Sequence, residues 1–142
     1  MKHLKNYKLF ESSSEEIFDY LKEIFSELDF YGYNIDIVDP YSMGISKFIK
    51  VRISKNKSFK LSDIFDLILT SDSYMNDNDW GLERIRFRTP ESYFFLLNKS
   101  DIENLKNLEN LKKEIDPINY RKIARMNTLQ FVYVELTFKS NQ

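Results

Sequence analysis

Two periods run through this chain, one of two residues and one near 3.6, and each predicts elements. From Leu82 to Thr89 basic and apolar residues alternate, so that Ile85 and Phe87 point to one face of a strand and Arg84, Arg86 and Arg88 to the other. The same period over Lys47–Ile53 sends Ile49, Val51 and Ile53 inward and Phe48, Lys50 and Arg52 outward. Tyr33, Ile35 and Ile37 alternate with Asn34 and Asp36 in an earlier strand. Gln130 to Lys139 predicts a long final one, setting Val132, Val134, Leu136 and Phe138 against Phe131, Tyr133, Glu135 and Thr137. The continuous run Tyr93–Leu97 reads as a strand buried on both sides or at an interface, joined to the preceding strand by the turn residues Thr89-Pro90-Glu91-Ser92.

Helical spacing appears three times. Ile17, Phe18, Leu21, Ile24, Phe25 and Leu28 form an apolar stripe opened by a Ser13–Glu16 capping box and ended at Phe30-Tyr31-Gly32. Leu61, Ile64, Phe65 and Ile68 form a shorter stripe capped by Ser62 and preceded by a basic loop, Lys55-Asn56-Lys57-Ser58. Ile102, Leu105, Leu108, Leu111 and Ile115 form a third, opened by Ser100 with Glu103 and stopped at Asp116-Pro117. Residues 71–81 predict the longest polar loop, and residues 118–128 an irregular stretch or a brief helical turn. Helix, strand, strand, helix, strand, strand, helix, strand predicts an α+β fold, with a mainly antiparallel sheet of about five strands and three helices packed on one face. Strand order is not assignable from the pattern.

The 142 residues fit a single globular domain over 13–142 behind a short leader, 1–12, that lacks a convincing period. No apolar run approaches the roughly 20 residues needed to span a bilayer, so no membrane association is expected. With no cysteine and with His3 as the sole histidine, thiolate chemistry and histidine-dependent triads have no material. Gly32, Gly44 and Gly81 are isolated and make no phosphate-binding loop. No cofactor or enzymatic activity is expected. Asp72, Asp77 and Asp79 cluster in sequence, but their spacing departs from an EF-hand loop, so a flexible Asx-rich loop explains them better than a metal site.

Charge follows the predicted elements. Residues 11–39 hold nine acids against Lys22 alone, residues 41–60 hold six bases and no acid, and residues 61–83 hold six acids and no base. The outward set Phe48, Lys50, Arg52, Arg84, Arg86, Arg88, Phe131 and Tyr133 is thus the candidate binding surface, if three strands present it to one open face. Basic groups would track phosphates while aromatics stack on bases, as in sheet-based binders of single-stranded nucleic acid. An acidic protein surface is the other partner class. A solvated face ion-paired to Asp36 and Glu135 is the plain alternative, and a one-residue slip would invert any of the strands.

The first eleven residues, Met1-Lys2-His3-Leu4-Lys5-Asn6-Tyr7-Lys8-Leu9-Phe10-Glu11, resemble the capsid-targeting peptides of internal head proteins of large contractile-tailed phages. In that group a prohead protease cuts after Glu in a Leu/Ile-x-Glu motif, which implies Leu9 and Glu11 as processing residues and cleavage before Ser12. The resemblance covers this segment alone. It implies a phage-encoded accessory protein that binds a host or phage protein, located in the bacterial cytoplasm or packaged in the virion head. A frayed terminus or a short edge strand is the alternative reading of the segment.

Overall fold

A computed structural model describes residues 16–38, 48–111, 125–126 and 128–141, with 107–111 described by backbone alone. The predicted Ser13 cap, the leader with Leu9 and Glu11, and the Asp116-Pro117 stop lie outside the described residues. Helix α1 (residues 16–25) buries Ile17, Leu21 and Phe25 along one face. It tightens into a 3-10 turn, Ser26–Tyr31, and stops at Gly32, whose φ of 83° is left-handed and whose amide donates back to the Asp29 carbonyl. A side chain at that φ is strained, which makes glycine the natural end of the helix.

Strand β1 (Tyr33–Val38) follows, then β2 (Phe48–Lys60), α2 (Leu61–Asp77), β3 (Trp80–Arg88), β4 (Phe94–Leu97), α3 (Lys99–Leu111) and β5 (Gln130–Ser140). The strands form one sheet in the order β1-β2-β5-β3-β4, and every neighbouring pair is antiparallel. The three helices pack against it, giving the α+β fold that the periodicity predicts. Ile49, Val51 and Ile53 of β2 face Phe138, Leu136 and Val134 of β5, which in turn face Leu82, Ile85 and Phe87 of β3. All nine are buried, and with the helix stripes they form one apolar core.

Several local expectations are corrected. The predicted loop over 71–81 is mostly helix: α2 runs to Asp77 because the inward positions Leu61, Ile64, Ile68, Ser71, Asp72 and Met75 keep helical spacing. Of the polar residues among them, Ser71 Oγ donates to the Ile68 carbonyl at 2.8 Å and Asp72 meets Lys106 of a later helix. Ser62 is not the cap. Strand β2 runs straight into α2, and the Asp63 carboxylate accepts the Lys60 amide at 2.9 Å. The supposed basic loop Lys55–Ser58 therefore belongs to β2, where the pairing register with β5 shifts between Ser54 and Phe59. At α3 the capping pair lies two residues earlier than Ser100–Glu103: Asn98 Oδ1 accepts the Asp101 amide at 2.9 Å, and Asp101 Oδ2 accepts the Asn98 amide at 3.0 Å. Glu103 instead reaches Lys106 at 3.3 Å. Strand β4 is an edge strand rather than one buried on both sides, with Phe94 55 % and Leu96 47 % exposed.

Helices α2 and α3 are tied together by Asp72 and Lys106, 2.5 Å apart, with the Asp72 side chain almost fully enclosed. Burial alone would lower the lysine pKa. The hydrogen bond from Lys106 to Asp72 and the negative charges of Asp72 and Glu103 outweigh it and hold the ammonium above its usual range. Among the described residues Asp72 Oδ1 has no hydrogen-bond partner, and the lysine is what offsets the cost of enclosing this carboxylate. Lys106→Met is expected to destabilise the fold by about 2–3 kcal/mol, below the full cost of stripping a buried pair because Lys106 is partly exposed, and Asp72→Leu in the same chain to restore much of the loss. Urea unfolding of the single and double variants measures both.

Candidate binding face

The sheet surface opposite the core is a grid whose rows are fixed by pairing. The first row sets Val38, Lys50, Thr137 and Arg84 side by side. The second sets Asp36, Arg52, Glu135, Arg86 and Leu96, and the third Asn34, Ser54, Tyr133, Arg88 and Phe94. Directly opposed residues on an antiparallel pair stand about 5 Å apart, so each row is a set of touching neighbours. The three arginines of β3 share this face by alternation, and Leu82 does not join them because the register shifts between Leu82 and Arg84. Glu83 is the extra residue of a bulge, which lets Leu82 and Ile85 both enter the core while Arg84, Arg86 and Arg88 all leave it.

Lys50, Arg52, Arg84, Arg86, Arg88 and Tyr133 are thus brought onto one face, as the alternation predicts. Phe48 also lies there, at the corner beside Lys139 and remote from β4. Phe131 does not, and its assignment to the outer face is corrected. It is fully buried, with its ring 4.7 Å from Phe87 and 6.5 Å from Phe95 on the core side, opposite Phe59. The register shift in β2 breaks strict alternation between Tyr133 and Phe131, and the aromatic cluster holds the ring inside.

Glu135 sits at the centre of the grid and is almost fully enclosed. Its Oε2 accepts from the Tyr133 hydroxyl at 2.7 Å and from Arg52 Nε at 3.2 Å, and its Oε1 lies 3.8 Å from Lys50 Nζ. Enclosure pushes its pKa up. The Tyr133 hydrogen bond, the Lys50 charge and Arg52 outweigh that and hold it below the usual carboxylate range. Arg52 also approaches Asp36 at 3.7 Å, so the β1–β2 half of the face is internally ion-paired.

The β3–β4 half differs. Arg86 lies over the Phe94 ring at 4.6 Å and Arg88 over the Tyr133 ring at 5.5 Å, while Arg84 has neither a ring nor a carboxylate beside it among the described residues. All three are exposed, next to exposed Tyr93, Phe94 and Leu96. Sequence reasoning missed Phe94 and Leu96 as members of this face, and it placed Thr137 there by alternation without including it in the binding set. The hairpin held the signal for the first two. Thr89 N–H donates to the Tyr93 carbonyl at 2.9 Å, and this closure sets Phe94 opposite Arg88 and Leu96 opposite Arg86.

Among the described residues no group of three or more histidine, cysteine, aspartate or glutamate side chains is placed to hold a metal ion. Asp72 belongs to the lysine pair within α2, whereas Asp77 closes that helix and Asp79 precedes β3. Nor is any helix among them long and apolar enough to cross a membrane. Comparison with protein-family models, curated proteins and solved structures finds no match.

Tyr133 connects the halves, bonded to Glu135 and lying beneath Arg88. Its phenol is pushed up to about 12, first by burial, then by the hydrogen bond to and charge of Glu135, against the opposing charges of Arg52 and Arg86. A folded-state pKa above the ordinary value of 10.0 stabilises the fold fully below pH 10, and that contribution is lost as pH rises from about 10 to 12. Tyr133→Phe is expected to remove one tyrosinate step near pH 12 from the ultraviolet absorbance titration and to soften the alkaline fall in thermal stability over that window.

Proposed function

We propose that this protein acts by binding rather than by catalysis, and that the β3–β4 half of the open sheet face takes an acidic segment of another protein. One observation carries the reading: Arg84, Arg86 and Arg88 stand exposed in a row with no carboxylate partner among the described residues, beside an exposed apolar edge formed by Tyr93, Phe94 and Leu96. Guanidinium forks match carboxylate oxygens bidentately. Resting over Phe94 and Tyr133, two of the three are ordered in advance, so less side-chain entropy is lost when they are engaged. The apolar edge suits an acidic segment interspersed with leucine or phenylalanine.

Single-stranded nucleic acid is the second reading, favoured by the excess of cations on this face. It has less support than the pattern of alternation suggests. Phe131 is in the core, Phe48 is at the far corner, and arginines already lie over the rings of Phe94 and Tyr133 that bases would stack on. Fluorescence anisotropy with an acidic leucine-containing peptide and with an oligothymidine distinguishes the two. The peptide is expected to bind, with affinity falling as salt rises and reduced at least tenfold by Arg86→Glu. Tighter binding of the oligonucleotide would transfer the site to nucleic acid, and no binding of either at low salt would remove both readings.

The N-terminal resemblance supplies the biological setting, that of a phage-encoded accessory protein packaged in the head and processed after Glu11. Mass spectrometry of virions from a phage encoding this chain is expected to find it beginning at Ser12. Its absence, or packaged copies that retain Met1–Glu11, would sink that setting without touching the binding face.

A further inference from the structure

The first row of the grid contains a hydroxyl that no other group uses. Thr137 is 1 % exposed, and its Oγ1 has no hydrogen-bond partner among the described residues. Its neighbours on the same face of β5 differ: the Tyr133 hydroxyl and the Glu135 carboxylate are both bonded, and to each other. A buried hydroxyl carries one donor hydrogen and two acceptor lone pairs, and leaving all of them unmade costs free energy that an isosteric valine would avoid. Cross-strand pairing places a cation on each side of it, Lys50 on β2 and Arg84 on β3.

Neither cation is hydrogen-bonded to an acid among the described residues. The Lys50 ammonium stands 3.8 Å from Glu135 Oε1, an ion pair beyond hydrogen-bond range, and that carboxylate is bonded more closely by Arg52 and Tyr133 through its other oxygen. Arg84, unlike Arg86 and Arg88, lies over no ring and pairs with no acid among the described residues. Adjacent strands are about 4.8 Å apart, which places the Lys50 and Arg84 backbones about 10 Å from one another with the hydroxyl midway. Both side chains are long enough to converge above it.

We infer that Lys50, Thr137 and Arg84 form a binding niche for a tetrahedral oxyanion, a phosphate or phosphate monoester. The row offers three donor groups side by side, a point-charge ammonium, a central hydroxyl and a planar guanidinium fork. That set fits a tetrahedral anion carrying up to two charges better than a planar carboxylate. Two acids of the second row stand beside the niche, Glu135 on β5 and Asp36 on β1, but Glu135 is bonded to Arg52 and Tyr133 with Arg86 directly across from it, and Asp36 pairs with Arg52. A water molecule would satisfy the hydroxyl while leaving both cations unanswered. The niche shares Arg84 with the acidic-segment reading, but Arg86→Glu, which tests that reading, leaves Lys50, Thr137 and Arg84 in place, so the two fail separately.

The test titrates the full chain with inorganic phosphate at constant ionic strength, following the backbone amide resonances of residues 50, 84 and 137. Saturable shifts at these positions are expected, with chloride producing none. Thr137→Val and Arg84→Ala should each weaken phosphate at least tenfold, Thr137→Ser should retain it, and Thr137→Val should leave the melting temperature unchanged or raised. If Thr137→Val fails to fold, the comparison of Arg84→Ala with Thr137→Ser decides. A peptide carrying phosphoserine, compared with its unmodified form, separates the sources: tighter binding than free phosphate assigns a protein-borne group, and equal binding assigns the free anion. Non-saturating shifts, or affinity indifferent to both Thr137→Val and Arg84→Ala, would overturn the niche.

Discussion

Every cross-sheet relationship in this molecule passes through β5. The two long basic strands, β2 and β3, never touch each other. Each is registered against the same central strand, so Lys50 and Arg84 are row-mates only because both face Thr137. The inward residues of β5, Val134, Leu136 and Phe138, are completely buried and carry the middle of the core. These pairings join residues far apart in sequence, so the sheet cannot be completed until the end of the described chain is in place. Such non-local pairing makes folding slow relative to helical proteins of this size and leaves the edges of β2 and β3 open until β5 inserts.

Centrality also explains the charge pattern. Alternation forces an outward position into the middle of the sheet, where flanking side chains enclose it, and the residue there is Glu135. A carboxylate so placed must be held by partners, and Tyr133, Arg52 and Lys50 do so. This arrangement divides the face: the β1–β2 side is internally paired, while on the β3–β4 side the arginines lean on aromatic rings instead of acids. The ion-paired expectation therefore describes the β1–β2 part of this surface and not the β3–β4 part.

Much of the architecture was legible because period-two and helical stripes are strong where one face is buried. The boundaries of β1 and β5 and the stripe Ile17, Leu21, Phe25 and Leu28 follow directly from them. What was not legible depended on events that a single strand does not encode. Phe131 reads as outward by alternation, yet a register shift in the partner strand and the rings of Phe87 and Phe95 take it inside. Residues 71–77 look like a polar loop because the lysine that satisfies Asp72 comes from a helix distant in sequence. Phe94 and Leu96 merge into one apolar run unless the hairpin register is known. Alternation put Thr137 on the outer face but gave no sign of its unbonded hydroxyl.

The net charge of −1 conceals a spatial separation. Exposed acids line the helices, among them Glu16, Asp19, Glu23 and Glu27 on α1 and its 3-10 extension and Asp63 and Asp66 on α2, while Arg84, Arg86 and Arg88 project from the other side of the sheet. A packed helix layer sits about 10 Å from a sheet, and its solvent side is farther still, whereas screening in physiological salt acts over about 8 Å. The helix acids therefore do little to neutralise the arginine face. A domain charged in this way orients an acidic ligand during approach although its total charge would weakly repel one, because the local field rather than the net charge governs encounter at short range. Across from those arginines β5 sets Thr137, Glu135 and Tyr133, and the single carboxylate of the three is already bonded to Tyr133 and Arg52, so the positive charge of β3 is left largely uncancelled.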